Sequence, residues 1–352
     1  MEAPRPSARR RPVTLDEIAA ASGVSRPTAS VILNGAKSGT RISPATSRRV
    51  LDVAKARGYR PNPIAQHLAT GKANRIGFYS GRSKLDCRNA FFAEILGGVF
   101  EGAAEFGFDT LMHTSSVSEL QIIDLVRAHS VDGLIVYATI GDPILPLLGD
   151  LHVPAVSVAD EIAGIPSVLV DDQQGGALLA AHLLSLGHRH ALVKQSPLPP
   201  PSAVARVRSF TETFEQASAQ VTQGLESWDG PSLSDKDRRL LSGPNRATAV
   251  MAWSDAVAET IVLHLLDLGF SVPGDVSVVG FDGFDLAKLP RRRLTTIRAP
   301  WADSGREAVH MLHSQLVGEE VPDVKVLPVT LCEGDTTGVR SVSLGANALH
   351  PI

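Results

Sequence analysis

Acids stand at the ends of apolar runs in this chain. Ala249-Val-Met-Ala-Trp253 is followed by Ser254-Asp255, and Asp275-Val-Ser-Val-Val-Gly-Phe281 by Asp282-Gly-Phe-Asp285. Carboxylates there, beside Trp253, suit a polyhydroxylated ligand. A sugar offers hydroxyls to charged acceptors and an apolar face to an aromatic ring. Each acid has a plainer alternative as a helix cap or a surface-loop residue. Asp282 is the better ligand candidate, Asp255 is open to either role, and Trp253 serves core or pocket. A different chemistry belongs to the N-terminal segment, where Arg26, Pro27, Ser30, Val31 and Asn34 share one side of a short helical pattern. His188-Arg-His190 would suit a metal on residue type alone.

The elements that would position these residues fall into two patterns. Thr14-Leu-Asp-Glu17 reads as a capping box, with Leu15, Ile18 and Ala19 on one face of the helix it opens. Gly23 suits a tight turn. Ser25 then caps a second helix to about Leu33, with Pro27 in its first turn and Ala29, Ile32 and Leu33 facing inward with Val24. Ser43 and Pro44 announce a third helix that Gly58 ends. Three short helices with a glycine turn between the first two make a helix-turn-helix, whose second helix presents its N-terminal residues to base edges in the major groove. From Arg75 onward, short β-rich runs alternate with helical stretches: 75–79, 132–137, 155–158, 167–170, 191–193, 249–253 and 275–281. Continuous apolar strands between helices predict parallel sheet covered on both faces, with ligands beyond the carboxyl ends of the strands.

Charge divides the chain in the same place. Residues 1–75 hold fourteen Lys/Arg against Glu2, Asp16, Glu17 and Asp52, a net +10, and the overall −3 leaves −13 for the remainder. A basic end on an acidic body implies that the end meets a polyanion and the body does not. No run of eighteen apolar residues is present, so no membrane span is expected. The basic residues near the start precede no apolar stretch, and Cys87 and Cys332 stand alone, so a cytoplasmic, reducing setting is expected.

Several segments carry a family resemblance. Thr14-Leu-Asp-Glu-Ile-Ala, Gly23-Val-Ser, Val31-Ile-Leu-Asn34, Arg57-Gly-Tyr-Arg-Pro-Asn62 and Ala65-Gln-His-Leu68 resemble, in order and spacing over about sixty residues, the headpiece and hinge of the lactose-repressor (LacI/GalR) family. Asn89-Ala-Phe-Phe-Ala-Glu-Ile-Leu, Val131-Asp-Gly-Leu-Ile-Val, Leu186-Gly-His188, Val272–Asp282 and Leu294-Thr-Thr-Ile297 resemble its sensor, to about Gly338. The resemblance implies an all-α helix-turn-helix headpiece and an α/β, two-subdomain, periplasmic-binding-protein-like sensor with parallel sheets. It also implies a homodimer on a roughly palindromic double-stranded operator and a small-molecule effector in the cleft, with no cofactor.

The implied boundaries are a basic arm at 1–12, a helix-turn-helix domain at 13–60, a hinge at 61–73, a sensor at 74–340 and a tail at 341–352. Within the sensor, one subdomain takes about 74–160 and 298–321 and the other about 163–290 and 325–340. The DNA-binding set is Thr14, Ser25, Arg26, Pro27, Thr28, Ser30, Val31 and Asn34, with Asn62, Ala65 and Leu68 from the hinge. Arg26 and Pro27 match the family's leading base-reading positions, and Val31 stands where many members carry Arg. Leu68 matches a leucine that wedges into the minor groove. The effector set is Phe91, Phe92, Asp160, Arg206, Trp253, Asp255 and Asp282. Arg208 replaces Arg206 if the register slips.

Ser254 stands for a frequent Asn, Ala299 for a Gln, Asp160 is displaced by one position, and Pro197-Leu-Pro-Pro-Pro201 is unusual. A sugar-like effector is favoured over a purine or nucleoside corepressor, which the same fold accommodates, and over a sugar-binding protein of this fold without DNA function. His188 becomes a structural residue by its match. The tail lacks leucine heptads, so a dimer is expected rather than a coiled-coil tetramer. Enzyme readings lack their motifs: there is no phosphate-binding Gly-x-x-x-x-Gly-Lys-Ser/Thr, no Gly-x-Ser-x-Gly and no His-Glu-x-x-His.

Overall fold

The computed structural model describes residues 11, 13–34, 41–61, 66, 70–81, 89–113, 126, 130–225, 232–243, 245–284 and 293–340. The headpiece comprises α1 (Leu15–Ser22), α2 (Arg26–Asn34) and α3 (Pro44–Ala56). The expected capping box closes in both directions: Glu17 N donates to Thr14 Oγ1 at 3.3 Å and Thr14 N to Glu17 Oε2 at 2.9 Å. Gly23 takes φ 63°, the left-handed turn between α1 and α2. Ser43 caps α3 through Thr46 N at 3.1 Å. Ile18, Ala29, Val50 and Ala54 form the small core, with Val24, Ile32 and Leu33 against it.

Asn34 departs from its outward expectation and is buried. Its Nδ2 donates to Ser30 Oγ one turn earlier, at 3.2 Å. An amide at a helix end reaches residue i−4 easily, and this bond folds the side chain back against the helix.

The body has two lobes, each built on a six-stranded sheet. The first lobe contains β1 (Arg75–Tyr79), α4 (Ala90–Phe106), β2 (Asp109–His113), β3 (Gly133–Val136), a 3-10 turn (Leu145–Asp150), β4 (Ala155–Val158) and β5 (Ser167–Val170). The chain then enters the second lobe with α5 (Asp172–Ser185), β6 (His190–Gln195), α6 (Pro201–Gln216), β7 (Gln220–Leu225), α7 (Asp235–Ser242), β8 (Ala249–Ala252), α8 (Asp255–Asp267), β9 (Ser277–Asp282) and β10 (Thr295–Arg298). It returns through α9 (Trp301–Leu316) and β11 (Val324–Leu327), and crosses once more to β12 (Thr330–Cys332).

Strand order is β11-β5-β4-β3-β1-β2 in the first sheet and β12-β10-β9-β8-β6-β7 in the second. Every pairing is parallel except β10 with β12. The inner strands β3, β4, β8 and β9 are buried at every position, as helices on both faces require, whereas β7 and β11 at the sheet edges carry exposed positions.

The subdomain boundaries read from the sequence shift accordingly. β5 and β11 were assigned to the second lobe by the limits at 163 and 325. Both lie in the first sheet, where β5 pairs with β4 and β11. A buried parallel strand reads the same whichever sheet it joins, so only its pairing places it.

Close helix packing is bought with glycine. A Cβ on Gly98 would sit 1.7 Å from Ala302 O where α4 meets α9, and one on Gly176 would sit 2.2 Å from Arg206 O where α5 meets α6. The second crossing fixes the backbone of a cleft residue.

Candidate functional site

The second lobe brings a guanidinium and several carboxyls to the ends of its strands. Arg206, on α6, is 4 % exposed. Its Nε donates to Asp172 Oδ1 at 2.8 Å and its Nη1 to the Trp253 carbonyl at 2.8 Å. The guanidinium lies over the Phe281 ring, 3.8 Å from the centroid, and Nη1 stands 3.9 Å from Asp282 Oδ1. Stacking and two charge-assisted bonds hold the fork in one orientation.

Asp282 ends β9 with φ 138°, a backbone region that side chains other than glycine rarely occupy. Its Oδ2 accepts from Asp255 N at 3.3 Å. Burial first, and the negative charge of Asp255 next, push its carboxyl well above the usual range, against the pull of Arg206.

Asp255 has another role. It is fully buried. Its Oδ2 accepts from Gly283 N at 2.8 Å and Phe284 N at 3.0 Å, and its Oδ1 from Thr296 Oγ1 at 2.5 Å. It braces the turn after β9 with both carboxylate oxygens. Burial raises its pKa to about 6. Gly283, at φ 85°, completes that turn, and a Cβ there would meet Arg298 Cα at 2.6 Å. Trp253 is half-buried against the apolar cluster of the second lobe, and its carbonyl accepts from Arg206.

The first lobe answers with aromatic rings. Phe91 packs edge-on against Phe92 (5.3 Å between centroids), Tyr137 (5.4 Å) and Trp301 (4.8 Å). The indole Nε1 of Trp301 is buried and faces the Asp282 carboxyl, whose charged form it favours. Tyr137 follows β3 and is raised by burial and then by the charge of Asp160, with Arg206 and Asp282 also acting on it from the other lobe.

Asp160, just after β4, crosses between lobes differently: its Oδ1 accepts from Ser202 N at 2.8 Å at the start of α6. Burial raises its pKa. Ala159 beside it has φ 71°, so each lobe carries a non-glycine residue of positive φ at a strand end facing the other. A cavity of about 220 Å³ opens there, lined by Ala138, Leu145, Asp160, Ile162 and Pro201 among others.

Phe91, Phe92, Arg206 and Asp282 are thus linked through Tyr137 and Trp301 where the lobes meet, Asp160 lines the adjoining cavity, and Asp255 holds the turn after β9. Sequence reasoning missed Asp172, Tyr137 and Trp301. Tyr137 closes the apolar run 132–137 and Asp172 stands two residues beyond the run 167–170, so the strand-end rule applied there would have found both. Arg208 is exposed on α6, which leaves Arg206 as the cleft arginine.

On the headpiece, Arg26 and Pro27 are exposed at the start of α2, and Ser30 and Val31 are half-buried. Thr14 is engaged in its capping box. Ser25 Oγ accepts from Thr28 N at 3.3 Å and shares a hydrogen with Thr28 Oγ1 at 2.8 Å. Arg26 Nε meets Asp16 Oδ1 at 3.0 Å. Asn62, Ala65 and Leu68 lie outside the described residues. At the far end of the hinge, Ala73 N and Arg75 N donate to Asp132 at 2.7 and 3.2 Å, which ties the linker to the first lobe. Among the described residues, no helix is long and apolar enough to cross a membrane.

A helix-turn-helix headpiece joined to a two-lobed α/β body with a polar cleft between its lobes defines a DNA-binding transcription regulator with a sensor domain. Residues 14–62 match the model for bacterial regulatory proteins of the lacI family, and residues 180–337 match the periplasmic binding protein-like domain. The chain thus carries a LacI-family helix-turn-helix domain followed by a periplasmic-binding-protein-like domain. Catabolite control protein A of Priestia megaterium is 26 % identical over 321 residues, covering 88 % of this chain and 94 % of that protein. The lac repressor dimer bound to operator and the anti-inducer ONPF superposes with a TM-score of 0.77 at 25 % identity, covering 93 % of this chain and 100 % of that one. The complex of the regulator CelR with cellobiose gives 0.65 at 27 % identity, with the same coverage.

Proposed function

We propose that this chain is a cytoplasmic repressor that binds operator DNA as a homodimer and changes its operator affinity when a sugar-like effector enters the cleft. It acts by binding rather than by catalysis. The observation that carries the effector reading is the pairing of Arg206 and Asp282 at a strand end with the aromatic group of Phe91, Tyr137 and Trp301 on the opposite lobe. A carboxyl and a guanidinium fixed side by side address neighbouring hydroxyls, and rings take the apolar face of a pyranose. A ligand touching both lobes favours one lobe arrangement over another, which is the differential affinity that any switch requires. Support also comes from the cellobiose complex of CelR.

The test is calorimetry of the full-length protein against mono- and disaccharides, sugar phosphates and nucleosides, with gel shifts on the upstream region of its own gene. The reading expects a saccharide to bind and to alter the shift. Binding of a nucleoside alone would replace sugar by purine as the class. A protein that ignores DNA under all conditions would remove the repressor reading altogether.

A further inference from the structure

Between residues 13 and 60 the chain carries eight Lys/Arg and only three acids, Asp16, Glu17 and Asp52. A carboxylate near a phosphate backbone repels it, so each acid on a DNA-facing surface needs a reason. Glu17 has one in the capping box of α1. Asp16 sits next to it, in the first turn of α1, and reaches across to α2, where its Oδ1 meets Arg26 Nε at 3.0 Å. Arg26 is the first residue of α2, the helix whose N-terminus points at bases in this docking mode.

The atom used matters. A guanidinium has two binding edges, Nε with one Nη, and the two Nη groups together. Asp16 occupies Nε. The Nη1–Nη2 edge has no partner recorded among the described residues, and its two parallel N–H groups match O6 and N7 of guanine in the major groove. Both side chains are largely exposed without DNA, at 68 % and 69 %, so the pair adds little to folding there. Against DNA it loses solvent and gains weight, because the same charges then interact through a lower dielectric.

We propose that Asp16 sets the base specificity of this headpiece by orienting Arg26, so that the Nη1–Nη2 edge addresses a guanine in each half-site. The proposal rests on α2 lying in the major groove. Asp16 touches no base on this account; it is a positioning residue that acts through Arg26. It also makes a long, flexible side chain selective, since an untethered Arg26 reaches phosphates as readily as bases.

The experiment is selection of binding sites from random duplexes by the full-length protein and by Asp16→Asn and Arg26→Ala variants. Hydrogen exchange over residues 15–34 reports headpiece stability in the same proteins. The wild type is expected to select guanine at one position per half-site, and Arg26→Ala to erase that preference. Asp16→Asn should weaken it on the order of tenfold at that position alone. Its binding to random DNA should be equal or tighter, because a negative charge has been removed, and its exchange should be unchanged. An Asp16→Asn protein that keeps the guanine preference overturns the proposal. So does one that loses preference at every position while residues 15–34 exchange faster, which is the mark of a helix brace. Should Arg26→Ala select the unchanged site, the groove reading of Arg26 fails and the proposal fails with it; loss in Arg26→Ala without loss in Asp16→Asn removes Asp16 only.

Discussion

Arg206 and Asp282 face each other across 3.9 Å without closing a hydrogen bond, although the same guanidinium bonds Asp172 and the Trp253 carbonyl at 2.8 Å. Asp282 is thus the carboxyl of the cleft with the weakest compensation. It is buried, it lies near the charge of Asp255, and its backbone is held in a strained conformation. Groups arranged at the expense of stability concentrate where a ligand completes them.

Asp282→Asn should therefore separate stability from response. Asparagine keeps an acceptor for Asp255 N but carries no charge, so the unliganded sensor should gain on the order of 1 kcal/mol at pH 7. Effector binding should fall at least tenfold, since a charged hydrogen-bond partner is worth about 1.5–3 kcal/mol. Chemical unfolding and calorimetry on one preparation read both quantities. A variant that is less stable and binds effector normally would make Asp282 a structural residue.

The elevated pKa of Asp282 also ties effector binding to a proton. Ligand hydroxyls donate to the ionised carboxylate, so a sugar binds the form that the empty cleft disfavours. Below the pKa of Asp282 in the empty cleft, binding should release a proton, and affinity should rise with pH up to that value. Calorimetry in two buffers of different ionisation enthalpy gives the proton count. Proton uptake on binding, or none at all, would contradict the arrangement.

Local chemistry was legible in the sequence wherever one short segment sets it. The Thr14–Glu17 capping box, the Gly23 turn, the Ser43 cap and the strand-end location of Asp282 all depend on neighbours within a few residues. Asn34 was misread because its burial depends on a back-bond to Ser30. The lobe membership of β5 and β11 is a long-range pairing with no local signal. Asp255 illustrates a third kind of limit: an acid after a strand reads the same whether it meets a ligand or, as here, the backbone of Gly283 and Phe284.

His188 should shape the acid limb of stability. It is buried with Nδ1 at 2.8 Å from Thr248 Oγ1 and Nε2 at 3.0 Å from Ser277 Oγ and 3.1 Å from the Gly338 carbonyl. A carbonyl only accepts, so Nε2 carries the hydrogen and Nδ1 accepts from Thr248. Burial lowers its pKa to about 4. Between there and the ordinary value near 6.5 the unfolded chain binds the extra proton, so this residue's contribution is whole above pH 6.5 and is lost as pH falls toward 4. Asp172 and Asp255, each raised to about 6, act oppositely: the folded state holds the extra proton, and stability from them increases as pH falls from above 6 toward 4. His188→Gln should lower stability at pH 7 by about 1–2 kcal/mol through its lost hydrogen bonds. It should also expose the acids, so that the variant gains stability between pH 7 and 5. Urea titrations across that range decide it, and an unchanged pH slope would refute the role given to His188.

Gly176 tests whether helix packing sets the cleft. A Cβ there would lie 2.2 Å from Arg206 O and 3.0 Å from Phe210 N, both backbone atoms that no rotamer change can move. Gly176→Ala must therefore push α6 away from α5. Because Arg206 rides on α6, its guanidinium must slide from Phe281 or from Asp172. The expected cost is about 1–3 kcal/mol from overpacking, with a loss of effector affinity out of proportion to it, as a small displacement breaks directional bonds first. Gly97→Ala is the matched control: it lies within α4, nothing stands within 4 Å of its added Cβ, and its φ is not positive. That variant should gain roughly 0.5–1 kcal/mol from helix propensity alone and bind effector as the wild type does. If both variants bind effector with wild-type affinity, the α5–α6 contact does not govern the position of Arg206.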